Sequence, residues 1–417
     1  MNVSNADSAP GVFATLRETP GPVRYLLGGV LINQMGAFVQ TFLVLYLTVR
    51  GFSLGAAGAA LTAFSIGAVF GTLLGGEFTH RFGPRNTIIA SMTTSAMVIG
   101  VVPFLSTPDR FGFVLIAMVA AGLATQSYRP AAAVLLSDLM PAQHRVMAFS
   151  MMRIALNIGA AIGPLIAAGL ILVDWNWLFW FDALTAITYA ALAFALLPRT
   201  AGGAAVAAKA DQPAEDKKFA YGVMLRDRPY LFYLASMLLS AAVYVQYTVA
   251  LPLKITAEGH PTGLYSAALA TSSTILILCE LKVTSYVRHW RPEVAGFVGT
   301  TLLALGLGGY GLSSSSSALI IFSTVVFVSG LMVSGPTMFA HPAKFPAAVK
   351  ARYVGASQAV FGLGSALGPT LGVLAWAGFG NGVWLLCAVI GVVAALFALV
   401  SMKETAVPTT GTALAST

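Results

Sequence analysis

Charged residues are scarce in this chain of 417 amino acids. Asp, Glu, Lys and Arg make up 9% of it, against about 25% in soluble globular proteins. Hydrophobic residues reach 57%, so a water-soluble protein of this length could not cover its surface with charge. Cysteine is scarce too. Cys279 and Cys387 both lie in apolar runs, which excludes a disulfide scaffold, and no Cys/His spacing suits a metal ion.

Motifs for enzyme, nucleotide or nucleic-acid chemistry are also missing. There is no ATP-binding loop, and no nucleophile–base pair. A G-x-G-x-x-G string at residues 306–311 ends an apolar run and follows no strand, which favours helix packing over dinucleotide binding. No loop interleaves basic and aromatic residues, so the net charge of +8 does not indicate nucleic acid. We expect no cofactor, no metal and no enzyme activity; a membrane enzyme or receptor is the alternative of a different class.

Long apolar runs are abundant. Runs of about 20 apolar residues, each enough to cross a bilayer as a helix, recur along the chain. They predict an all-α polytopic membrane protein with twelve transmembrane helices. The predicted spans are 24–48, 57–79, 86–105, 112–137, 146–172, 177–197, 230–253, 264–287, 295–312, 318–340, 353–377 and 381–402.

Basic residues are distributed unevenly between the two sides of these spans. The side that holds both termini and the even-numbered connections, called the basic side below, carries 17 of the 23 Lys and Arg residues. The opposite side carries three, Arg50, Arg110 and Lys254. The positive-inside rule then predicts a multi-pass protein of the cytoplasmic (inner) membrane with both termini in the cytoplasm.

The spans form two similar halves. Residues 158–170, IGAAIGPLIAAGL, match residues 363–375, LGSALGPTLGVLA, at an offset of 205. Gln40 and Gln246, each an amide in an apolar run, are separated by 206 residues. Parallel halves of this kind are a recurrent plan among transporters. The predicted organisation is a tail at 1–22, a six-helix bundle at 23–198, a polar linker at 199–228, a second six-helix bundle at 229–403 and a tail at 404–417.

Several segments resemble the major facilitator superfamily, over nearly the whole chain. Residues 75–86, GGEFTHRFGPRN, resemble the loop motif of that superfamily, although His80 replaces its acidic residue. Residues 157–169, NIGAAIGPLIAAG, resemble a motif of proton-coupled exporters. The resemblance implies the major facilitator fold, with two pseudo-symmetric bundles, and a drug/proton antiporter-like exporter. The gating residues it implies are Glu77, His80, Arg81, Gly83, Arg85, Gly159, Gly163, Pro164, Gly364, Gly368 and Pro369. We expect Glu77 to stand in for the missing acid, near Arg85 or the start of the eleventh span.

Polar groups within the spans are the candidate cargo contacts, because an amide or charge in a bilayer is costly without a partner or water. The predicted set is Asn33, Gln34, Gln40, Gln126, Arg129, Tyr244, Gln246 and Tyr247. Gln40 and Gln246 are expected to border a central cavity. Alternatively, they hydrogen-bond neighbouring helices and serve packing. The glycine pairs are expected at the sliding contact between the halves; alternatively, they serve simple helix packing.

Acidic residues within the spans are the candidate proton carriers. Glu280 is the deepest, and a buried carboxyl group resists ionisation enough to exchange a proton near neutral pH, unless Lys282 holds it ionised. Asp182 is the second candidate; alternatively, Asp182 and Arg153 form a structural pair between the fifth and sixth spans. The sequence therefore predicts a monomeric secondary transporter whose partners are the lipid bilayer, a small amphipathic molecule and protons, acting in efflux. A proton-coupled importer or facilitator of a small nutrient is the alternative.

Overall fold

A computed structural model describes residues 17–199, 220–261, 263–313 and 316–403, and the regular secondary structure in these ranges is helical. Most of the predicted tails and linker lies outside the described residues. The α-helices are α1 Gly21–Met35, α2 Val39–Val49, α3 Leu54–Phe82, α4 Pro84–Leu105, α5 Phe111–Leu139, α6 Arg145–Ile171, α7 Trp177–Leu196, α8 Ala220–Arg226, α9 Arg228–Tyr244, α10 Gln246–Ala257, α11 Gly263–Val287, α12 Pro292–Gly311, α13 Ser317–Ala340, α14 Ala347–Phe379 and α15 Val383–Ser401.

Eleven stretches of the described residues are long and apolar enough to cross a membrane. Ten coincide with the first ten predicted spans. The eleventh, Ala347–Ser401, contains both α14 and α15, separated by the 3-10 helix Gly380–Gly382. Gly380 has φ +52°, which glycine adopts at little cost. Because α14 and α15 both pack against α9, the chain turns back at this glycine instead of running straight on.

The first and seventh predicted spans are each broken into two helices. The first breaks at residues 36–38, between α1 and α2, and the seventh at Val245, between α9 and α10. The start of α2 leaves backbone N–H groups without a helical partner. The carboxylate of Asp182, on α7, accepts hydrogen bonds from two of them, those of Phe38 and Val39. Asp182 therefore holds α7 against the break in the first span.

Equivalent glycines pack in the same way in the two halves. Gly159 and Gly163 of α6 lie against α1, and Gly364 and Gly368 of α14 lie against α9. At these positions a Cβ atom would crowd the facing helix, so small residues allow close approach. The sequence repeat is thus also a repeat of helix contacts. All four contacts lie within one half, so the expectation that these glycines form the sliding contact between the halves is wrong.

On the opposite side, each half is fastened by an asparagine. Asn176, between α6 and α7, accepts hydrogen bonds from Tyr46 at 2.9 Å and Arg50 at 2.6 Å. Asn381, between α14 and α15, accepts one from Lys254 at 2.8 Å. Asn176 and Asn381 are 205 residues apart. In each half, the end of the first span that lies opposite the basic side is therefore tied to its own half by an equivalent contact.

The two halves meet where α14 packs on α3 and α5, and where α6 packs on α11 and α13. Gly76 and Gly355 bring two of these backbones close together, since a Cβ atom on either would lie 2.8 Å from the backbone of the other helix. Hydrogen bonds and ion pairs between the halves, among the described residues, fall in the portions of these helices nearest the basic side. The molecule is therefore closed toward the basic side.

Candidate transport site

A cavity of about 140 Å³ lies between the two halves. Its walls come from α1, α5 and α6 of the first half and from α13 and α14 of the second. The lining residues are Val30, Tyr128, Arg129, Ala132, Phe149, Met152, Arg153, Leu156, Phe339, Gln358 and Phe361. Pockets for drug-sized ligands usually measure about 300–1,000 Å³. In this conformation the cavity therefore fits a small molecule.

Two ion pairs join the halves on the basic side. Lys350 Nζ lies 2.7 Å from Asp138 Oδ1. Arg352 Nε lies 2.8 Å from Glu77 Oε2, and its Nη2 donates to Oε1 at 3.3 Å. Arg81 adds a third contact to the same carboxylate, at 2.6 Å. Glu77, Asp138, Lys350 and Arg352 are called the latch below.

The latch lies between the cavity and the basic side. Asp138 follows Arg129 by nine residues on α5, so it is about 14 Å nearer the end of that helix. Lys350 precedes Gln358 by eight residues on α14, which places it about 12 Å nearer the start. Both ends are on the basic side. A molecule in the cavity therefore has the latch between itself and that side.

The predicted loop motif contributes Glu77 to the latch, and its other residues lie at or after the end of α3. Glu77 contacts Arg352, the second of its two expected partners, whereas Arg85 donates to the Phe194 carbonyl at 2.5 Å within the first half. His80 is half-buried on the last turn of α3. Gly83 ends α3 with φ +81°, a conformation that favours glycine.

Arg153 connects the cavity to a buried carboxylate in the other half. Its Nε lies 3.0 Å from Glu280 Oε1, and Glu280 is fully buried on α11. Its Nη1 also donates to the carbonyl of Leu331, on α13, at 2.8 Å. Beside this pair, Thr284 donates to Ser150 at 3.0 Å. One guanidinium group thus borders the cavity and joins α6 to two helices of the second half.

These contacts decide two alternatives that the sequence left open. The predicted pair between Arg153 and Asp182 is wrong, because Asp182 binds backbone N–H groups at the break in the first span. The partner of Glu280 is Arg153, not Lys282, whose side chain is exposed. The physical reason is helical geometry: residues two apart on a helix do not face each other.

Arg129 has no such partner. Its Nε is buried, and no hydrogen bond or ion pair to its side chain occurs within the described part of the chain. The residue lies in the interior of α5, directly before Pro130. The cavity wall therefore holds one guanidinium group that is balanced by a carboxylate and one that is not.

The two repeated amides have different surroundings. Gln246 is buried and donates to the carbonyls of Ala242 at 2.9 Å and Gly368 at 2.8 Å, with its amide group against the backbone of Gly372. It does not line the cavity, and its contacts are those of the packing alternative. Gln40 is exposed on α2 and does not line the cavity either. At the equivalent position of the first half the repeat has Ala167 instead of Gly372, and this alanine is fully buried.

Of the eight predicted cargo contacts, Arg129 is the one that lines this cavity. Tyr244 and Tyr247 stack on Phe327, within the second half, with ring centroids 6.0 and 4.8 Å away. Gln34 packs against Gly159 on the neighbouring α6. The other two predicted residues are Asn33, which is buried on α1, and Gln126, which is half-buried on α5.

The sequence repeat contains a signal for two cavity residues that the polar-residue search missed. The offset of 205 maps Arg153 onto Gln358, and it maps Leu156 onto Phe361. All four line the cavity. Equivalent faces of α6 and α14 therefore form opposite walls.

Comparison with known proteins agrees with this arrangement. The family model described as Major Facilitator Superfamily matches residues 26–369. The chain belongs to the Major Facilitator Superfamily. It is a multi-pass membrane transporter and not an enzyme, as the resemblance of its motifs predicted.

Individual members of the superfamily match most of the chain. A Na⁺, Li⁺, K⁺/H⁺ antiporter of Planococcus maritimus is 23% identical over 388 residues, covering 85% of this chain and 89% of the relative. The multidrug resistance protein MdtH of Yersinia enterocolitica is 23% identical over 302 residues, covering 72% of each. A solved structure of the proton:xylose symporter XylE matches with a TM-score of 0.70 at 16% identity, covering 90% of this chain and 94% of that one. At this identity the structural match establishes the fold alone.

Proposed function

We propose that the chain is a proton-coupled secondary transporter that moves a small amphipathic molecule through this cavity by alternating access. One observation carries the proposal: Arg153 lines the cavity and pairs with the buried Glu280 of the other half. The same side chain therefore borders the cargo space, the contact between the halves and a carboxyl group able to take up a proton. Ionisable groups inside membrane helices are rare and commonly serve such coupling.

The proposed topology has twelve spans in two six-helix bundles, within one chain of the cytoplasmic membrane. The turn at Gly380 supports counting α14 and α15 as separate spans. The excess of basic residues supports a cytoplasmic position for the basic side and both termini. In that orientation the latch closes the cytoplasmic side. The cavity is formed within a single chain, which supports a monomer.

Glu280 is the proposed coupling group. Protonation would remove the negative charge that faces Arg153 and so weaken the link between α6 and α11. Those helices belong to different halves, so proton uptake would favour their separation. Asp182, the second proton candidate, is engaged by backbone N–H groups within its own half, and we propose a capping role for it instead.

For direction, we propose export in exchange for protons. Two relatives named as an antiporter and a multidrug resistance protein support this direction. Proton-coupled uptake is the second candidate, because Arg153 borders the cavity. A negatively charged cargo at Arg153 would compete with Glu280, and the released carboxylate would bind a proton together with the cargo. Facilitated diffusion would require no change in the protonation of either candidate carboxyl group, Glu280 or Asp182.

The test measures the conformation as a function of pH, so it does not depend on the identity of the cargo. Spin labels at positions 82 and 289, one exposed site on the basic side of each half, report the distance between the halves. Both native cysteines are first replaced by serine. Lowering the pH should lengthen this distance in the wild type and leave Glu280→Gln unchanged. Glu293→Gln, whose parent carboxylate pairs with Arg291 within one half, is the control and should respond like the wild type. A normal response in Glu280→Gln would refute the role of Glu280, and no response in any chain would favour facilitation.

A further inference from the structure

The charges of the cavity wall do not balance. Two of its eleven lining residues, Arg129 and Arg153, are cationic and none is acidic. Arg153 is compensated by Glu280. Arg129 keeps a buried Nε without any hydrogen-bond acceptor among the described residues. The cavity therefore carries a net positive charge in the interior of the protein.

Arg129 cannot remove this imbalance by losing a proton. A guanidinium group stays protonated in proteins, unlike a lysine ammonium or a carboxyl group. An unpaired charge inside a membrane protein is costly, and such residues usually pair or face a water-filled path. Water in the cavity would hydrate the group in part, whereas an anion would also neutralise its charge.

The chain supplies no carboxylate for this purpose within the described residues. The membrane-embedded and latch acids are engaged elsewhere: Glu77 and Asp138 in the latch, Asp182 at the break in the first span, Glu280 with Arg153, and Glu258 with Lys254. None of the described carboxylates is therefore the counter-ion of Arg129 in this conformation, and a bound anion can take that place.

The rest of the wall is mainly apolar. Phe149 is fully buried, and the rings of Phe339 and Phe361 meet edge to face with centroids 5.3 Å apart. Leu156 and Met152 complete this surface on α6. Gln358 of α14 and Tyr128 of α5 add two neutral hydrogen-bonding groups. A ligand that matched this wall would have a small hydrophobic or aromatic body and one negatively charged group.

We infer that Arg129 binds the anionic group of the cargo, and that the cavity binds small amphipathic anions such as aromatic sulfonates or carboxylates. The inference rests on the proposed function, in which this cavity holds the cargo, and it names the chemical class of that cargo. It is independent of the direction of transport. Arg129 supplies the charge, and the phenylalanine and leucine side chains hold the apolar body.

Calorimetric titration of the purified full chain in detergent with two matched probes tests the inference. Benzenesulfonate is a permanent anion, and benzenesulfonamide has the same ring with a neutral polar group. The wild type should bind the anion at least tenfold more tightly than the neutral probe. Arg129→Gln should lose this preference and keep its affinity for the sulfonamide, whereas Arg129→Lys should keep part of it. Arg110→Gln removes an exposed guanidinium group in a loop on the opposite side and should behave like the wild type.

Three results would overturn the inference. One is equal affinity of the wild type for the two probes. Another is an unchanged preference in Arg129→Gln. The third is the absence of any binding to the wild type, which would leave water as the partner of Arg129. Because Arg129→Gln removes an uncompensated charge, it should fold, and an unchanged elution volume and helical circular dichroism check this. The pH-dependent distance measurement needs no cargo, so a normal pH response without an anion preference would reject the anion site and keep the proposed transporter.

Discussion

The guanidinium group of Arg153 lies against the backbone of Gly335, in the space that a Cβ atom at position 335 would need. Because glycine has no side chain, Arg153 reaches the Leu331 carbonyl and Glu280. The ion pair between Arg153 at the cavity wall and Glu280, the proposed coupling group, therefore depends on the absence of a side chain at Gly335.

Gly335→Ala should displace Arg153 and leave Glu280 without its cation. Removing one partner of a buried pair costs about 3–5 kcal/mol, so the free energy of unfolding should fall by up to about that amount. Denaturant unfolding in mixed micelles measures it. Gly362→Ala is the control, because a Cβ atom there meets nothing within 4 Å. In an Arg153→Met background, Gly335→Ala should lower the free energy of unfolding far less. An equal decrease in both backgrounds would mean that the effect of the alanine does not act through the Arg153–Glu280 pair.

Glu280→Gln should abolish gradient-driven transport and preserve exchange of cargo between compartments of equal pH. The amide keeps the shape of the side chain but cannot carry a proton between the two sides. Proteoliposomes loaded with labelled benzenesulfonate allow both modes to be measured on the same preparation. Full activity driven by a pH gradient in this variant would reject Glu280 as the coupling group and leave Asp182 or Glu77 in that role.

Glu77→Gln should shift the resting conformation toward the one open on the basic side. The substitution removes the charge that holds Arg352 of the other half, so the latch keeps only its Lys350–Asp138 pair. The spin-label distance between positions 82 and 289 should lengthen at constant pH. Glu293→Gln removes a carboxylate on the same side but within one half, and its distance should match the wild type. An unchanged distance in Glu77→Gln would remove the gating role.

Gln246→Leu should lower stability and leave cargo affinity unchanged, because the amide fastens α10 to the carbonyl of Gly368. Gly372→Ala should have a similar effect, of about 1–3 kcal/mol, since the new methyl group would expel the amide and leave a buried polar group unsatisfied. Gln40→Leu is the matched substitution at an exposed position and should change the free energy of unfolding little. Loss of benzenesulfonate binding in Gln246→Leu with normal stability would restore the amide to the cargo path.

Labelling of single cysteines with a membrane-impermeant maleimide tests the orientation. Positions 315 and 212 would be natural choices from the sequence, but they lie outside the described residues. Asp109→Cys on the opposite side should react in intact cells, and His289→Cys on the basic side should react only after the cells are opened. The reverse pattern would invert the topology and place the latch outside.

The sequence contains most of the fold, because each span must be apolar over its whole length and basic residues mark one side. The site was harder to predict. A search for polar groups inside spans identifies both Gln246 and Arg129. Gln246, however, packs between helices, whereas Arg129 borders the cavity. The difference comes from Gly372, because the absence of a side chain there leaves space for the amide group of Gln246. The polarity of the residues along the sequence does not reveal this space between two helices.

The partner of Glu280 illustrates a second limit. Lys282 is close in sequence, whereas Arg153 is 127 positions away and in the other half. Pairing across the halves depends on how the bundles meet. The internal repeat partly overcomes this limit, because it aligns Arg153 with Gln358 and so identifies two facing walls of one cavity.

The contact between Gly76 and Gly355 brings two main chains together with no side chain from either residue. Nothing interlocks at such a point, so the helices can part there without any rotamer having to change. By the same reasoning, a single methyl group on either glycine would keep the two helices from approaching this closely. Gly76→Ala or Gly355→Ala should therefore hold the halves apart on the basic side, and it would offer crystallographers a one-atom means of trapping the opposite conformation.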